Sequence, residues 1–387
     1  MALTPPLFLI NSLKNLKRWL CIKRDKIFVK YILFARYLIW LNTESKIKNT
    51  NPNGIKYFTK DDFPFVVDHE LGVWNRPNHH FVKRTKIRVE PELVTNVYFD
   101  PNGIRVGNKN DEVKNQVDIL VLGESNTWGQ GVNYNETYAA IVGERLNMNV
   151  ANLGLIGSNG VQSLLLLRRY LKFKPKLIIY GFWEEHLLSN IQRCPNIDSP
   201  VCLGRPIIKR FHRKTLQVSL PKGAKLALKQ YVNWYRDSSL GTDLPLLRKW
   251  YWKIRLAFRV IAERHIDNLK RGSGYQKLNS SSKKWNYAID ASKYVVSEMK
   301  ELADSVGAKL VIVYLPIFFM EEINSLPIEL QAHMKNLDVI FVDMGPTWYT
   351  KKNNGENFYF TKDLHLNQKG HSDVSERIVS SLKSIIN

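Results

Sequence analysis

The feature that most limits what this chain can fold into is the apolar run Val117-Asp118-Ile119-Leu120-Val121-Leu122, which stops at Gly123-Glu124-Ser125. A short run of branched residues closed by glycine reads as a strand buried on both faces, the kind found in parallel sheets. The next periodic segment, residues 137–146, reads as a helix. A serine at the carboxyl end of such a strand, ahead of a helix, lies where open α/β sheets bind ligands. Its hydroxyl faces the crevice, and nearby backbone N–H groups suit an anion. Strand-Gly-x-Ser turns also occur in sheets without chemistry, so the serine has to find partners elsewhere in the chain.

A partner stands at the far end. Asp363 and His365, in Lys362-Asp363-Leu364-His365-Leu366-Asn367, precede a last helix expected over residues 373–386. A nucleophilic serine needs a base to take its proton, and the base needs an orienter to fix its tautomer. Positions two apart in extended or turn backbone project to one side. Alone, the segment reads equally as a helix-capping loop with a solvated histidine. Together with the serine block, and bracketing a βα pattern, it reads as the other half of a catalytic site.

Between these ends the pattern alternates. Strands are expected over residues 117–122, 148–153, 176–181, 309–315 and 338–343, with helices over 137–146, 162–171, 287–306 and 373–386. Five parallel strands alternating with helices give a three-layer α/β/α sandwich of the flavodoxin-like kind. Every candidate catalytic group then falls just past a strand end or before the last helix, on one edge of the sheet. A β-like stretch at residues 94–99 suggests a small β layer flanking the main sheet.

Three blocks carry a family resemblance. Gly123-Glu124-Ser125, Asn152-Leu153-Gly154-Leu155-Ile156-Gly157 and Asp363-Leu364-His365-Leu366-Asn367 resemble the blocks of the SGNH/GDSL hydrolases. The resemblance runs from residue 68 to the end, interrupted by a long insertion. It implies an SGNH hydrolase fold with Ser125 as nucleophile, His365 as base and Asp363 as its orienter. It also implies an oxyanion hole from the N–H groups of Ser125 and Gly157, with no cofactor. Three departures stand out. Glu124 occupies the position of the family's Asp. The final block is Asp-x-His rather than Asp-x-x-His, a form similar to the branch that handles acyl groups on bacterial surface glycans. The third block, Tyr180-Gly181-Phe182-Trp183-Glu184-Glu185-His186, lacks the Asn that faces the oxyanion. Losing one such donor costs ~10²–10³ in rate, so Glu184, Glu185 and His186 form a candidate third-block site with some other role.

The chain of 387 residues carries a net charge of +22, spread along its length. A basic surface favours anionic partners such as phospholipid headgroups, acidic polysaccharide or nucleic acid. No zinc-ligand spacing, P-loop or RNA-binding signature is present, so nucleic acid rests on charge alone and no metal is expected. Residues 1–60 form a basic N-terminal segment. Its longest apolar stretch, residues 27–41, is interrupted by Lys30 and Arg36 and falls short of the ~18–20 residues that span a bilayer. It suits either an interfacial helix at a membrane surface or a helix packed on the domain. Residues 61–387 form the hydrolase-like domain, with a helical insertion at 190–285. Within it, residues 246–270 read as a helix carrying Trp250, Tyr251, Trp252 and Phe258: a core-closing helix, or a lid that stacks on sugars or meets a membrane. Cys194 and Cys202 bracket a proline-containing loop. A disulfide there implies an oxidising compartment; free thiols fit a reducing cytosol.

The expectation is therefore a serine esterase acting on ester groups, O-acetyl above all, of a bacterial surface glycan, and associated with a membrane or the periplasm. An O-acyltransferase using the same triad is one alternative. A carbohydrate- or membrane-binding protein on a catalytically retired version of the fold is the other, motivated by the missing Asn and by Glu124.

Overall fold

The computed structural model describes residues 64–85, 93–114, 116–191, 205–211, 215–219, 283–316, 325–360 and 365–386. The N-terminal helix expected at 27–41, the aromatic helix at 246–270 and the Cys194/Cys202 loop lie outside these residues, as does Asp363.

The chain enters through a hairpin, β1 (Phe65–Asp68) and β2 (Gly72–Asn75), then β3 (His80–Thr85), β4 (Leu93–Phe99) and β5 (Arg105–Val106). The apolar run forms β6 (Ile119–Leu122), followed by a one-turn helix α1 (Ser125–Trp128) and by α2 (Tyr138–Leu146). Next come β7 (Val150–Asn152), α3 (Gly160–Tyr170), β8 (Leu177–Trp183) and the short α4 (His186–Ser189). A hairpin of β9 (Ile207–Phe211) and β10 (Thr215–Ser219) precedes the long α5 (Lys283–Ser305). The chain closes with β11 (Lys309–Leu315), α6 (Ile328–Asn336), β12 (Ile340–Asp343), α7 (Gly345–Asn353) and α8 (Gln368–Ile386).

The five expected parallel strands are present, side by side in the order β12-β11-β8-β6-β7. The sheet is nevertheless eight-stranded. The antiparallel strands β5, β4 and β3 continue it beyond β7 instead of forming a separate layer. The reason is geometric: Arg105 of β5 pairs with Asn152 of β7, so the edge that a five-stranded sheet would leave open is occupied. The insertion is not wholly helical either, because β9 and β10 pair antiparallel within it.

Alternation along the strands builds two cores. Leu120, Leu122, Ile178, Tyr180, Phe182, Leu310, Ile312 and Tyr314 face one side, where α3, α5 and α6 cover them. Ile119, Val121, Leu177, Ile179, Val311, Val313 and Leu315 face the other, under α2, α7 and α8. These residues are 0–4% exposed, and each contributes roughly 1.5–3 kcal/mol by leaving water. That two-sided burial is why the strands read as continuous apolar runs and why the domain is a three-layer α/β sandwich. Among the described residues no helix is long and apolar enough to cross a membrane.

Helix boundaries follow their caps. Thr137 accepts the N–H of Ala140 to start α2, and Asn147 at φ 51° ends it. Asn159 and Gln162 form a capping box on α3. The last helix begins at Gln368, earlier than the apolar periodicity indicates, because Asn367 caps it by accepting the N–H of Gly370.

Candidate active site

β6 delivers the chain to Gly123, whose φ of 149° is left-handed territory, and a Cβ there would lie 2.0 Å from Thr127 Oγ1. Only glycine makes this turn. Ser125 follows as the first residue of α1 and is 6% exposed. His365 comes from the opposite end of the chain, yet its Nε2 stands 2.9 Å from Ser125 Oγ.

Both partners are braced. The Leu366 N–H donates to Asn126 Oδ1 at 2.8 Å, joining the residue after the histidine to the residue after the serine. Phe360 N–H donates to the His365 carbonyl at 3.0 Å, and Tyr359 bridges Leu366 antiparallel. Glu124 is 1% exposed. Its Oε1 accepts the Asn126 N–H at 2.9 Å, and its Oε2 accepts from the Ser125 hydroxyl. The serine oxygen therefore lies between a carboxylate and an imidazole.

The second block holds the floor of the turn. Leu155 N–H and Ser158 Oγ–H both donate to the Gly123 carbonyl at 3.0 Å. Ser158 N–H also donates to the Leu155 carbonyl, closing a tight turn in which Gly157 takes φ 69°. Asn152 Nδ2 donates to the Thr127 carbonyl at 2.9 Å. A Cβ on Gly154 would lie 2.3 Å from the Trp128 backbone nitrogen, so this glycine is required by a close approach of two backbones.

Two supporting side chains were not legible in the sequence. Arg105 is completely buried. Its guanidinium donates to the carbonyls of Trp128, Gly129 (2.8 Å) and Val132 (2.7 Å) and lies 4.5 Å over the Trp128 ring. Burial brings its pKa down to about 9, opposed by Tyr134 and Glu136. Gln130 lies on the loop that Arg105 clamps, and its Nε2 is 3.3 Å from His365 Nδ1. The Gly129-Gln130-Gly131 sequence is the one signal that could have marked Gln130, since two glycines directly after the serine helix signal a turn. Arg105 closes the segment Asp100-Pro101-Asn102-Gly103-Ile104-Arg105, which resembles the lead-in before the serine block in one bacterial branch of the family, but nothing in the sequence marks its clamp on the loop.

The third block divides. His186 is fully buried, its Nδ1 2.8 Å from the Tyr180 hydroxyl and its ring stacked on Tyr180. Burial, with the Arg205 charge, holds it neutral, its pKa down to about 3. It is a packing residue of the core on the α3 side of the sheet. Glu184 and Glu185 are half-buried at the end of β8. Burial pushes the Glu185 carboxyl up to about 7 against the pull of Arg205, and Glu124 and Glu184 push the same way. Arg205, buried itself, sits opposite Glu185 and is lowered to about 10 by desolvation. No group of metal-ligating side chains occurs among the described residues.

No protein-family model and no curated protein matches the chain. Several solved structures are similar to it. One is titled "Crystal Structure of TesA", 11% identical over 69% of this chain and 98% of that one, with a TM-score of 0.35. Another is a putative lipolytic protein of G-D-S-L family from Desulfitobacterium hafniense, 12% identical over 68% and 98%, TM-score 0.36. A third is a GDSL-like lipase from Bacteroides thetaiotaomicron, 12% identical over 69% and 87%, TM-score 0.32. Likeness of that degree carries no chemistry. The α/β architecture stands on the sheet described above, and the chemistry stands on the chain's own side chains.

Proposed function

We propose that this protein is a serine esterase of the SGNH/GDSL kind, acting on O-acyl groups through an acyl-enzyme. The observation that carries the reading is the 2.9 Å approach of His365 Nε2 to Ser125 Oγ, made by residues from opposite ends of the chain.

In the proposed reaction the Ser125 hydroxyl turns from Glu124 to His365, and Oγ bonds to the ester carbonyl carbon as its proton passes to His365 Nε2. The carbonyl electron pair moves to oxygen, where the N–H groups of Ser125 and Gly157 receive the charge. The carbon–oxygen bond to the alcohol then breaks, and His365 returns the proton to the departing oxygen. Water repeats the sequence on the acyl-enzyme and frees the acid. A sugar hydroxyl in place of water makes the same enzyme a transferase. Asp363, two residues before His365, is the proposed carboxylate orienter of the ring.

Glu185 bears on the missing Asn. With its pKa at about 7, much of the population is uncharged at neutral pH. A neutral carboxyl does not repel an oxyanion and can donate a hydrogen bond. O-acetylated glycan is the proposed substrate, on the form of the Asp-x-His block and the basic, aromatic-rich insertion.

The test is labelling of the full chain with a fluorophosphonate probe, wild type beside Ser125→Ala and His365→Ala, followed by acetyl release from acetylated glycans. Labelling of wild type alone supports the reading. Folded wild type that neither labels nor hydrolyses p-nitrophenyl acetate removes it in favour of a binding protein on this fold.

A further inference from the structure

The contact between Gln130 and His365 is embedded in a loop built to hold it. Gly129 and Gly131, on either side of Gln130, have φ of 87° and 95°. A Cβ on Gly129 would lie 2.3 Å from Thr137 Cγ2 and 2.6 Å from the Arg105 guanidinium; one on Gly131 would lie 2.6 Å from the Phe360 ring. The loop is thus pressed between a buried cation on one side and the residue bonded to the His365 carbonyl on the other. Gln130 N–H donates to the Ser125 carbonyl at 2.9 Å. Arg105 fixes the carbonyls of Trp128, Gly129 and Val132 around it, and Val132 packs on Phe360. One side chain therefore has its backbone tied to the serine and its amide within reach of the far nitrogen of the histidine. That is the position from which a tautomer is set.

Resting on the reading of Ser125 and His365 above, we propose that Gln130 is a positioning residue for His365, its amide holding Nδ1 so that Nε2 faces Ser125 Oγ. A half-turn of the amide exchanges Oε1 and Nε2 in the same volume. As placed, Gln130 Nε2 faces Nδ1 at 3.3 Å while Ser125 donates to Glu124, an arrangement in which Nδ1 accepts from the amide. Once the serine proton turns to His365 Nε2, the turned amide presents Oε1, accepts the Nδ1–H and keeps that bond when the ring becomes imidazolium. An amide does this without adding a negative charge, and so acts beside the orienting carboxylate proposed above for Asp363 and the Glu124 carboxylate at the serine. Among the described residues the titratable groups bearing on the ring are Glu124, across Ser125, and His371, on which Arg105 also acts.

The experiment uses the full chain labelled with ¹⁵N-histidine, as wild type, Gln130→Leu and Gln130→Glu, with the His365 signals assigned by His365→Ala. Nitrogen shifts report the tautomer and titration of His365 directly, and fluorophosphonate labelling against pH reports its function. Gln130→Glu, nearly isosteric, places a carboxylate at Nδ1 and should raise the His365 midpoint by about one unit or more. Gln130→Leu should mix the tautomers and slow labelling roughly tenfold or more. A residue that only fills space would move neither the nitrogen shifts nor the pH profile. Unchanged His365 signals in both variants overturn the proposal, whatever the labelling does. Signals that move in a protein whose wild type does not label uphold the positioning role and sink the nucleophile reading instead.

Discussion

The backbone N–H of Leu366 donates to Asn126 Oδ1 at 2.8 Å, so the residue after the serine holds the residue after the histidine. Segments 240 residues apart meet at a buried hydrogen bond between the immediate neighbours of Ser125 and His365. The backbones that carry Ser125 and His365 are in this way tied together, and the two side-chain rotamers complete the 2.9 Å approach.

Asn126→Ala should cut that tie. It strands a buried N–H, a loss of about 1–3 kcal/mol, and lets the histidine segment drift from the serine. Urea denaturation should show the stability loss, and fluorophosphonate labelling should slow more than tenfold in protein that is still folded.

Glu124 has two uses, and two substitutions separate them. Glu124→Gln keeps an oxygen to accept the Asn126 N–H and should retain most of the stability. Glu124→Ala loses the cap and should cost about 1 kcal/mol or somewhat more. Chemical denaturation of the pair checks this; equal stability of the two variants would show that the cap contributes nothing.

Arg105→Lys should be severe despite the conserved charge. One ammonium cannot serve three carbonyls arranged for a guanidinium fork, and the group is fully buried. A loss of about 3–5 kcal/mol is expected, read as a drop in melting temperature together with slower labelling.

Acid should destabilise the fold through two histidines. His186 and His371 are completely buried, and burial holds both pKa values down at about 3 in the folded protein. Unfolded, they titrate near 6.5. Below about pH 6.5 the unfolded chain binds protons that the folded chain refuses, so stability falls as pH drops, by up to about 1.4 kcal/mol per pH unit for each histidine. The loss stops growing near pH 3. Denaturation midpoints at pH 7.5, 6 and 5 should follow this slope. His371→Gln, which keeps an acceptor for the Tyr138 N–H, should flatten it.

The parallel core was legible because burial on both faces leaves no ambiguity: residues 119–122, 177–183 and 309–315 have apolar side chains on either side of the sheet. Ser125 and His365 were legible for a related reason, since each stands beside an element end that glycine or an amide cap marks. The strand at 80–85 was not read, and the stretch at 94–99 was read as β but not as part of the main sheet. At the outer end of the sheet, Val82 and Val94 are exposed and periodicity says little about their neighbours. The helix at 345–353 was missed because Pro346 and Gly345 read as turn residues, although proline suits a first helical turn. The role of Arg105 was invisible, although its segment was not, because an arginine that binds carbonyls has no sequence partner to betray it. His186 misled for the opposite reason: beside two glutamates it reads as chemistry, whereas Tyr180 takes its Nδ1 within the core.

The antiparallel edge of the sheet has a consequence for how little of the chain could hold the Ser125 loop in place. Counted by parallel strands, everything before Val117 is dispensable: a chain shortened to that point would keep all five, along with Ser125 and His365. It would also have discarded Arg105, the residue at which the added strands join the sheet and whose guanidinium grips the loop below the serine. The added strands are therefore bedplate rather than trim, and the smallest chain that keeps the Ser125 loop clamped is larger than the smallest version of the fold.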